Sequence, residues 1–277
     1  MNAPEPHWNA DALRLQLAAL WPDIDVHIVD VTGSTNTDLL ERGRALAEAF
    51  VPCLLVAEQQ SGGRGRQGRS WLSERGASLT FSLAVPLATA DWSGLSLAVG
   101  VALAEALDAA AAAPRIGLKW PNDLWLRDAS GPGRKLGGVL IETVASGAAQ
   151  RIAVVGVGLN VRPIEVGAAA STGYACLQEI EGDADAPGAL ARIARPLAEA
   201  LRRFEREGFA AFQGRFAARD LLFGVPVRTT QAGVPDGVAE GVTAQGALRV
   251  RAPDGVLKTV SSGEVSVRPL AAHAASC

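Results

Sequence analysis

Residues 134 to 142 read Arg134-Lys135-Leu136-Gly137-Gly138-Val139-Leu140-Ile141-Glu142, two cations and two glycines running into a strongly β-forming stretch. Glycine inside a strand marks a bulge or a place where another group lies against the backbone, and the adjacent lysine favours a ligand. The β pattern runs from Lys135 to Val144 and returns from Ile152 to Val161, with Ser146-Gly147 as a turn between them, so the spacing predicts a hairpin. Its returning arm holds Gly156-Val157-Gly158-Leu159-Asn160, a second place of close backbone approach that ends in an amide. Taken alone, that arm is equally a tightly packed core strand. It is not a dinucleotide fingerprint, because the third glycine and the following helix are missing.

Upstream of this hairpin, Asn9 can cap a short helix to Trp21, followed by an alternating strand from Ile24 to Val31. Ser34-Thr35-Asn36-Thr37-Asp38 then forms a polar start to a helix carrying Leu39, Leu40, Ala45 and Leu46. Strands are expected at Cys53–Glu58, Ser78–Val85 and Gly117–Trp120, and an apolar helix at Ser93–Ala112. Downstream, helical patterns cover Pro187–Glu207 and Phe209–Asp220. The texture then changes to short alternating segments cut by glycine and proline: Val225–Thr230, Gly237–Thr243, Ala247–Arg251, Val256–Val260 and Val265–Pro269. Five such segments predict a small all-β unit, with the boundary near Leu221 and two domains at 1–220 and 221–277.

The chain has 277 residues, 48% hydrophobic and 20% charged, with a net charge of -3, which disfavours a broad nucleic-acid-binding surface. Met1–His7 lacks the basic and apolar regions of a secretory signal, and the longest apolar run, Leu95–Ala113, is interrupted by Glu105 and Asp108. Cys53, Cys176 and Cys277 show no metal-ligand spacing, so a reduced, cytoplasmic, metal-free protein without a membrane span is expected. His7, His27 and His273 lie near the ends, away from the glycine-rich and charged motifs, which argues against an imidazole base or a His-bound zinc.

Two further motifs carry charge. Gly63-Arg64-Gly65-Arg66-Gln67-Gly68-Arg69 strings three arginines on three glycines in an acidic protein. Each guanidinium offers a planar fork to phosphate or carboxylate, although a merely solvated turn has the same composition. Lys119-Trp120-Pro121-Asn122-Asp123 follows a strand, and its proline holds Trp120 out of helical geometry, presenting Lys119 and Asp123 from a rigid corner. The two could serve one site or pair as a structural salt bridge. No Walker phosphate loop and no nucleophile elbow is present.

In order, Gly33-Ser34-Thr35-Asn36, Gln60, the basic loop, the Lys-Trp-Pro-Asn-Asp corner, Lys135-Leu136-Gly137-Gly138 and Gly156-Val157-Gly158-Leu159-Asn160 resemble the biotin protein ligase family from about residue 28 to 269. The resemblance implies an α+β fold: a mixed-sheet catalytic domain of the class II aminoacyl-tRNA synthetase and biotin ligase type, with a small C-terminal SH3-like β-barrel. It implies a reaction in two steps. Biotin and ATP with Mg2+ give biotinyl-5'-AMP and pyrophosphate, and the biotinyl group then passes to a lysine of a biotin carboxyl carrier domain of a carboxylase such as acetyl-CoA carboxylase.

By the same resemblance, Ser34, Thr35, Asn36 and Gln60 would bind the biotin head group. Arg64, Gly65 and Arg66 would close over its carboxylate and the α-phosphate, with Gly137 and Gly138 beneath the ligand. Lys135 would bridge carboxylate and phosphate, Arg69 would reach the pyrophosphate, Trp71 would stack on adenine, and Asn160 would hold the phosphate or ribose. Lys119 would add charge near the phosphates, and Asp123 would orient and deprotonate the acceptor amine. Magnesium would arrive with ATP, with no metal site of the protein's own. The basic loop is expected to be mobile without ligand. Only about 30 residues precede Ser34, too few for the helix-turn-helix domain of repressor relatives, so DNA binding is not expected; a homodimer through an exposed sheet edge such as Lys135–Val144 is possible. The rivals are a lipoate protein ligase, a biotin-binding regulatory subunit that does not turn biotin over, and an RNA-binding module using the arginine-glycine loop.

Overall fold

The computed structural model describes residues 8–109, 113–129, 133–146, 150–164, 173–234, 236–261 and 267–269. Twelve strands form two sheets among these residues. The first sheet contains β1 (Asp25–Thr32), β2 (Cys53–Gln60), β3 (Ser78–Leu87), β4 (Ile116–Lys119), β5 (Asp123–Leu126), β6 (Arg134–Ser146) and β7 (Gln150–Asn160), in the order β1-β2-β3-β7-β6-β5-β4. Only β1 and β2 are parallel, joined through helix α2 (Thr35–Leu46), so the sheet is mixed. The expected hairpin is its centre: β6 pairs with β7 from Gly137↔Leu159 to Ser146↔Gln150. Residues 147–149, which include part of the expected turn, lie outside the described residues.

Two hydrophobic cores cover the two faces. On one, α1 (Ala10–Ala18), α3 (Leu95–Leu107) and α4 (Ala186–Glu207) pack with Phe81, Val155 and Val157. On the other, α2 sets Leu39 and Leu40 against Leu55, Ala84, Val144, Ile152 and Val154. Strand side chains alternate between faces, so the row across Leu140, Gly156, Ser82 and Leu55 lies on the α2 face, as does the row across Gly138, Gly158, Thr80 and Ala57.

The element boundaries follow local chemistry. Asn9 caps α1, its side chain accepting from Ala12 N at 2.9 Å, and Asp185 caps α4 by accepting from Gly188 N at 2.7 Å. Helix α3 is shorter than the apolar run that predicts it, ending at Leu107, and residues 110–112 lie outside the described ones. The two acidic residues in that run are both paired: Glu105 with Arg215, and Asp108 with Arg219 at 3.1 Å. Strand β5 was not expected. It hides in the corner motif, whose last residue, Asp123, is its first. The span expected as one helix from Phe209 to Asp220 divides into a 3-10 turn, Phe209–Phe212, and a short helix α5, Gln213–Ala217.

Each of the five C-terminal segments contains a strand, β8 (Pro226–Thr229), β9 (Asp236–Val242), β10 (Leu248–Arg251), β11 (Leu257–Val260) and β12 (Val267–Pro269), ordered β11-β10-β9-β8-β12; Val265 and Ser266 of the last segment lie outside the described residues. This second sheet is tied to the first at the Lys-Trp-Pro-Asn-Asp corner. The fully buried Trp120 donates its indole N–H to Gly246 O at 2.9 Å, and Lys119 Nζ donates to Val267 O at 3.2 Å. Leu221, at the expected boundary, donates to Leu118 O at 3.0 Å, so the connection itself continues the sheet at β4.

Candidate active site

The C-terminal ends of β1 and β2 and the N-terminus of α2 converge on a cavity on the α2 face. It is lined by Ser34, Thr35, Asn36 and Gln60 at one end, by residues 64–67 and 69–71 of the basic loop as a roof, and by Lys119, Asn122, Asp123 and Lys135 at the other end. All five cations expected from sequence therefore share one cavity. Its floor is bare backbone at Gly138, Gly156 and Gly158.

The glycines have different reasons for lacking a side chain. A Cβ on Gly156 would meet Asn36 Oδ1 at 2.2 Å, and one on Gly158 would meet the Trp71 ring at 2.4 Å. The returning strand thus makes room for two side chains of the site, which then stand beside the ligand space. Gly138 faces Asp123 Oδ1 and Lys135 Nζ at 3.4 and 3.5 Å from its hypothetical Cβ. Gly137 does not line the cavity; its Cβ would strike Leu159 and Gly158 O of β7, so its absent side chain serves sheet packing.

The basic loop is itself a tight hairpin. Gly65 N donates to Arg69 O at 2.7 Å and Trp71 N to Gly63 O at 2.8 Å, while Gln67 (φ 59°) and Gly68 (φ 69°) form a left-handed tip. Two consecutive left-handed residues match the twist of the flanking strands, and glycine takes the second place at no steric cost. Gln67, assigned no meaning from sequence, is one of two described non-glycine residues with positive φ. Arg66 donates to Asn122 Oδ1 at 3.3 Å, spanning the cavity from roof to corner. Burial pulls its guanidinium below the ordinary arginine value, with Asp123 opposing and Arg69 assisting that shift. Trp71 lies over Gly158 with Lys135 Nζ 5.9 Å from its ring centre, and its indole N–H is buried without a partner among the described residues.

At the corner, the sequence left open a Lys119–Asp123 ion pair. The structure pairs Asp123 with Lys135 instead, Nζ to Oδ1 at 2.7 Å. Although β4 and β5 set Lys119 and Asp123 opposite each other, Lys119 turns to Val267 O and to the face of Trp125, 5.4 Å from its ring centre. Burial lowers the Lys119 pKa; Asp123 opposes this, and Lys135, Arg69 and Arg268 reinforce it. A strained concentration of positive charge with one carboxylate is suited to a polyanion. Asn160 does not line the cavity: its amide donates to Lys135 O at 3.2 Å and Ala175 O at 2.9 Å, bracing the strand that carries Lys135.

At the opposite end, Thr35 N donates to Gln60 Oε1 at 2.7 Å. Thr35 Oγ1 lies 3.0 Å from that same oxygen and 2.7 Å from Ser82 Oγ. Ser82 donates to Asn36 Oδ1 at 2.6 Å, and Asn36 Nδ2 donates to Glu142 Oε2 at 2.9 Å and Leu140 O at 3.3 Å. Ser34 also lines this end; it is the N-cap of α2, although its side chain makes no cap bond. Ser82 and Glu142 were not foreseen. The available signal for Ser82 was the row Ser78, Thr80 and Ser82, hydroxyl side chains at every second position of a strand whose remaining residues are apolar, where a polar residue needs a buried partner.

Residues 28–160 match the family described as Biotin/lipoate A/B protein ligase, and residues 222–268 match Biotin protein ligase C terminal domain. The chain is 36% identical over 252 residues to the bifunctional ligase/repressor BirA of Escherichia coli, covering 88% of this chain and 74% of that protein. It is 35% identical over 272 residues to the biotin--[acetyl-CoA-carboxylase] ligase of Mycobacterium tuberculosis, covering 94% and 96% of the two chains. The chain belongs to the biotin protein ligase family. Among solved structures of that family, the Aquifex aeolicus enzyme in complex with biotin and ATP superposes with a TM-score of 0.72 at 30% identity, over 89% of this chain and 99% of that one. The biotin protein ligase fold, with its mixed sheet and second antiparallel sheet, is the fold described above.

Proposed function

We propose that this protein is an ATP-dependent biotin protein ligase: it activates biotin as biotinyl-5'-AMP and transfers the biotinyl group to a lysine of a carrier domain. The observation that carries this reading is the convergence of Arg64, Arg66, Arg69, Lys119 and Lys135 on a glycine-floored cavity whose far end is neutral and hydrogen-bonding. A carboxylate attacking an α-phosphate brings two anions together, so the barrier falls mainly through positioning and through cations placed where charge develops. The neutral end, with Ser34, Thr35, Asn36 and Gln60, takes the ureido head of biotin. Lys135 and the arginines of the roof then face its carboxylate and the triphosphate, which enters as the Mg2+ complex.

In the first step a biotin carboxylate oxygen bonds to the α-phosphorus and the bond to pyrophosphate breaks, Arg69 and Lys119 receiving the departing charge. Trp71, set on Gly158, offers the flat surface for adenine. In the second step the carrier lysine attacks the biotinyl carbonyl, AMP leaves, and the amine proton must be removed. Asp123 is the carboxylate at this end of the cavity and takes that role, with its Lys135 partner holding its orientation. Asn160 supports the site from behind, through the strand that carries Lys135.

Beyond Gly138, no strand among the described residues pairs with the outer side of β6, and a second cavity runs from Arg66 and Gln67 along Val139, Leu140, Ile141 and Thr143. That bare edge is the approach for the carrier domain and the contact for a second copy in a homodimer. We take the two domains as 1–220 and 221–277, a division supported by the C-terminal family match at 222–268. A cytoplasmic location places the enzyme with its ATP and carboxylase substrates; among the described residues, no helix is long and apolar enough to cross a membrane.

The test is a mass measurement after incubation with biotin, ATP, Mg2+ and a biotin carboxyl carrier domain. One carrier lysine heavier by a single biotinyl group is the expected result. Lipoylation under matched conditions, or ATP turnover that ignores biotin, would displace the proposal.

A further inference from the structure

The polar chain from Gln60 to Glu142 can be assigned proton by proton. Asn36 Nδ2 touches Glu142 Oε2 and Leu140 O, a carboxylate and a carbonyl that can only accept, so the amide group must face them with both hydrogens committed. Asn36 Oδ1 therefore points at Ser82, and the single Ser82 hydroxyl proton goes to it over 2.6 Å. Ser82 Oγ is left as an acceptor toward Thr35, 2.7 Å away, and two hydroxyl oxygens that close require a proton between them. Thr35 has one proton to give, and it goes to Ser82.

The consequence lies at the cavity. Thr35 Oγ1 and Gln60 Oε1 stand 3.0 Å apart, within reach of the Thr35 proton, but with that proton given to the shorter contact with Ser82 none remains between them. Gln60 cannot reverse its amide to supply one, because its oxygen is held by Thr35 N–H at 2.7 Å. Two acceptor oxygens at the end of the pocket lack a shared donor, and both residues line it.

We infer that Glu142 is a specificity-setting positioning residue, which fixes the polarity of this chain so that Thr35 and Gln60 together demand an N–H donor from the bound acid. Glu142 acts through three intervening side chains, Asn36, Ser82 and Thr35. The inference rests on the reading that the acid is biotin, and it gives an atomic basis for preferring a ureido ring to a dithiolane, which has no N–H. A site built to receive a substrate N–H rejects an analogue lacking it far more strongly than an apolar pocket rejects a missing methylene, because its own polar groups are left unpaired.

The polarity can be reversed without changing shape. In Glu142→Gln the new amide can donate to Asn36 Oδ1, which offsets loss of the longer bond to Leu140 O when Asn36 turns over; Ser82 then donates to Thr35 and Thr35 to Gln60, closing the acceptor pair. Ser82→Ala closes it by another route, since the Thr35 proton then has only Gln60 Oε1 to reach. The experiment measures pyrophosphate release with biotin and with its two carbamate analogues, in which one or other ring N–H is replaced by oxygen.

Wild-type turnover of biotin tests the function; the ratio between biotin and the analogues tests the inference. The expected result is that each substitution lowers the kcat/KM preference for biotin over at least one carbamate by about tenfold or more, through KM for biotin, with kcat within about twofold. Glu142→Asp, which keeps an acceptor, should retain the preference. If both Glu142→Gln and Ser82→Ala are folded, turn biotin over and keep the wild-type preference, the chain does not set specificity and the inference is overturned.

Discussion

At the scale of single residues, the site contains groups whose chemistry opposes the stability of the empty protein. Lys119 is held beside Lys135, Arg69 and Arg268, and burial lowers its pKa from the ordinary 10.5. A lysine whose folded pKa is depressed binds its proton more weakly in the native than in the unfolded state. Between the lowered value and 10.5 the unfolded chain carries more protons, so this group makes stability rise with pH in that window, and the penalty is fully present below it. Lys119→Met should therefore raise the urea midpoint of the ligand-free protein at neutral pH while cutting adenylation by about a hundredfold or more. Equilibrium unfolding and pyrophosphate release measure the two effects on one sample. Arg66 gives a different prediction, because its guanidinium bridges the roof to Asn122. Arg66→Ala should retain measurable adenylation but shed biotinyl-5'-AMP into solution at least about tenfold faster than wild type. Its dissociation rate, followed by chase with unlabelled biotin, should stay unchanged only if the loop does not retain the intermediate.

At the scale of elements, the paired strands β6 and β7 act as a template on which other parts are laid. Gly156→Ala would drive a Cβ into Asn36, and Gly158→Ala would drive one into Trp71. Each overpacking costs about 1 to 3 kcal/mol, and the kinetic signatures should differ: the first raises KM for biotin, the second KM for ATP. Steady-state kinetics with each substrate varied in turn separates them.

Elements of this kind also show what the sequence discloses. The five C-terminal strands were legible because glycine and proline cut the alternating pattern at each turn, and the central hairpin because two β runs flank a short turn. Strand β5 was not, since its four residues, Asp123–Leu126, are too few to show a period beside a proline turn. Thr35, Gln60 and Lys135 were nameable from their motifs, but Glu142 and Ser82 were not, because each depends on which strand lies next to which and on the register between them. The partner of Asp123 was not legible for the same reason: nearness along the chain offers Lys119, and the pairing of β5 with β6 delivers Lys135.

At the scale of the whole molecule, the C-terminal sheet is joined to the Lys-Trp-Pro-Asn-Asp corner rather than merely attached to the chain end. Trp120, at 0% exposure, donates to Gly246 O, and Lys119 to Val267 O, so two neighbours in one motif are held by the β9–β10 turn and by β12 of the second sheet. Trp120→Phe keeps an aromatic ring but removes the donor and part of the buried volume, leaving a buried carbonyl unpaired at a cost of about 1 to 3 kcal/mol in addition to the cavity. The expected outcome is a lower denaturation midpoint together with weaker ATP binding, because Lys119 sits on the same support. Calorimetry with and without nucleotide checks both. A loss of stability with unaltered nucleotide affinity would mean that the second sheet stiffens the corner without aligning it.

The pavement of Gly138, Gly156 and Gly158 has a consequence for any effort to make this catalyst accept larger acids. Redesign of a pocket commonly starts by trimming side chains beneath the guest, but at these three positions nothing remains to trim, and deeper excavation there would cut into the main chain itself. Extra room must come from the side chains around that pavement, such as Val139, Leu140 and Val157, or from the canopy of arginines, and on the proposed mechanism loosening the canopy also loosens the cover over the activated acid.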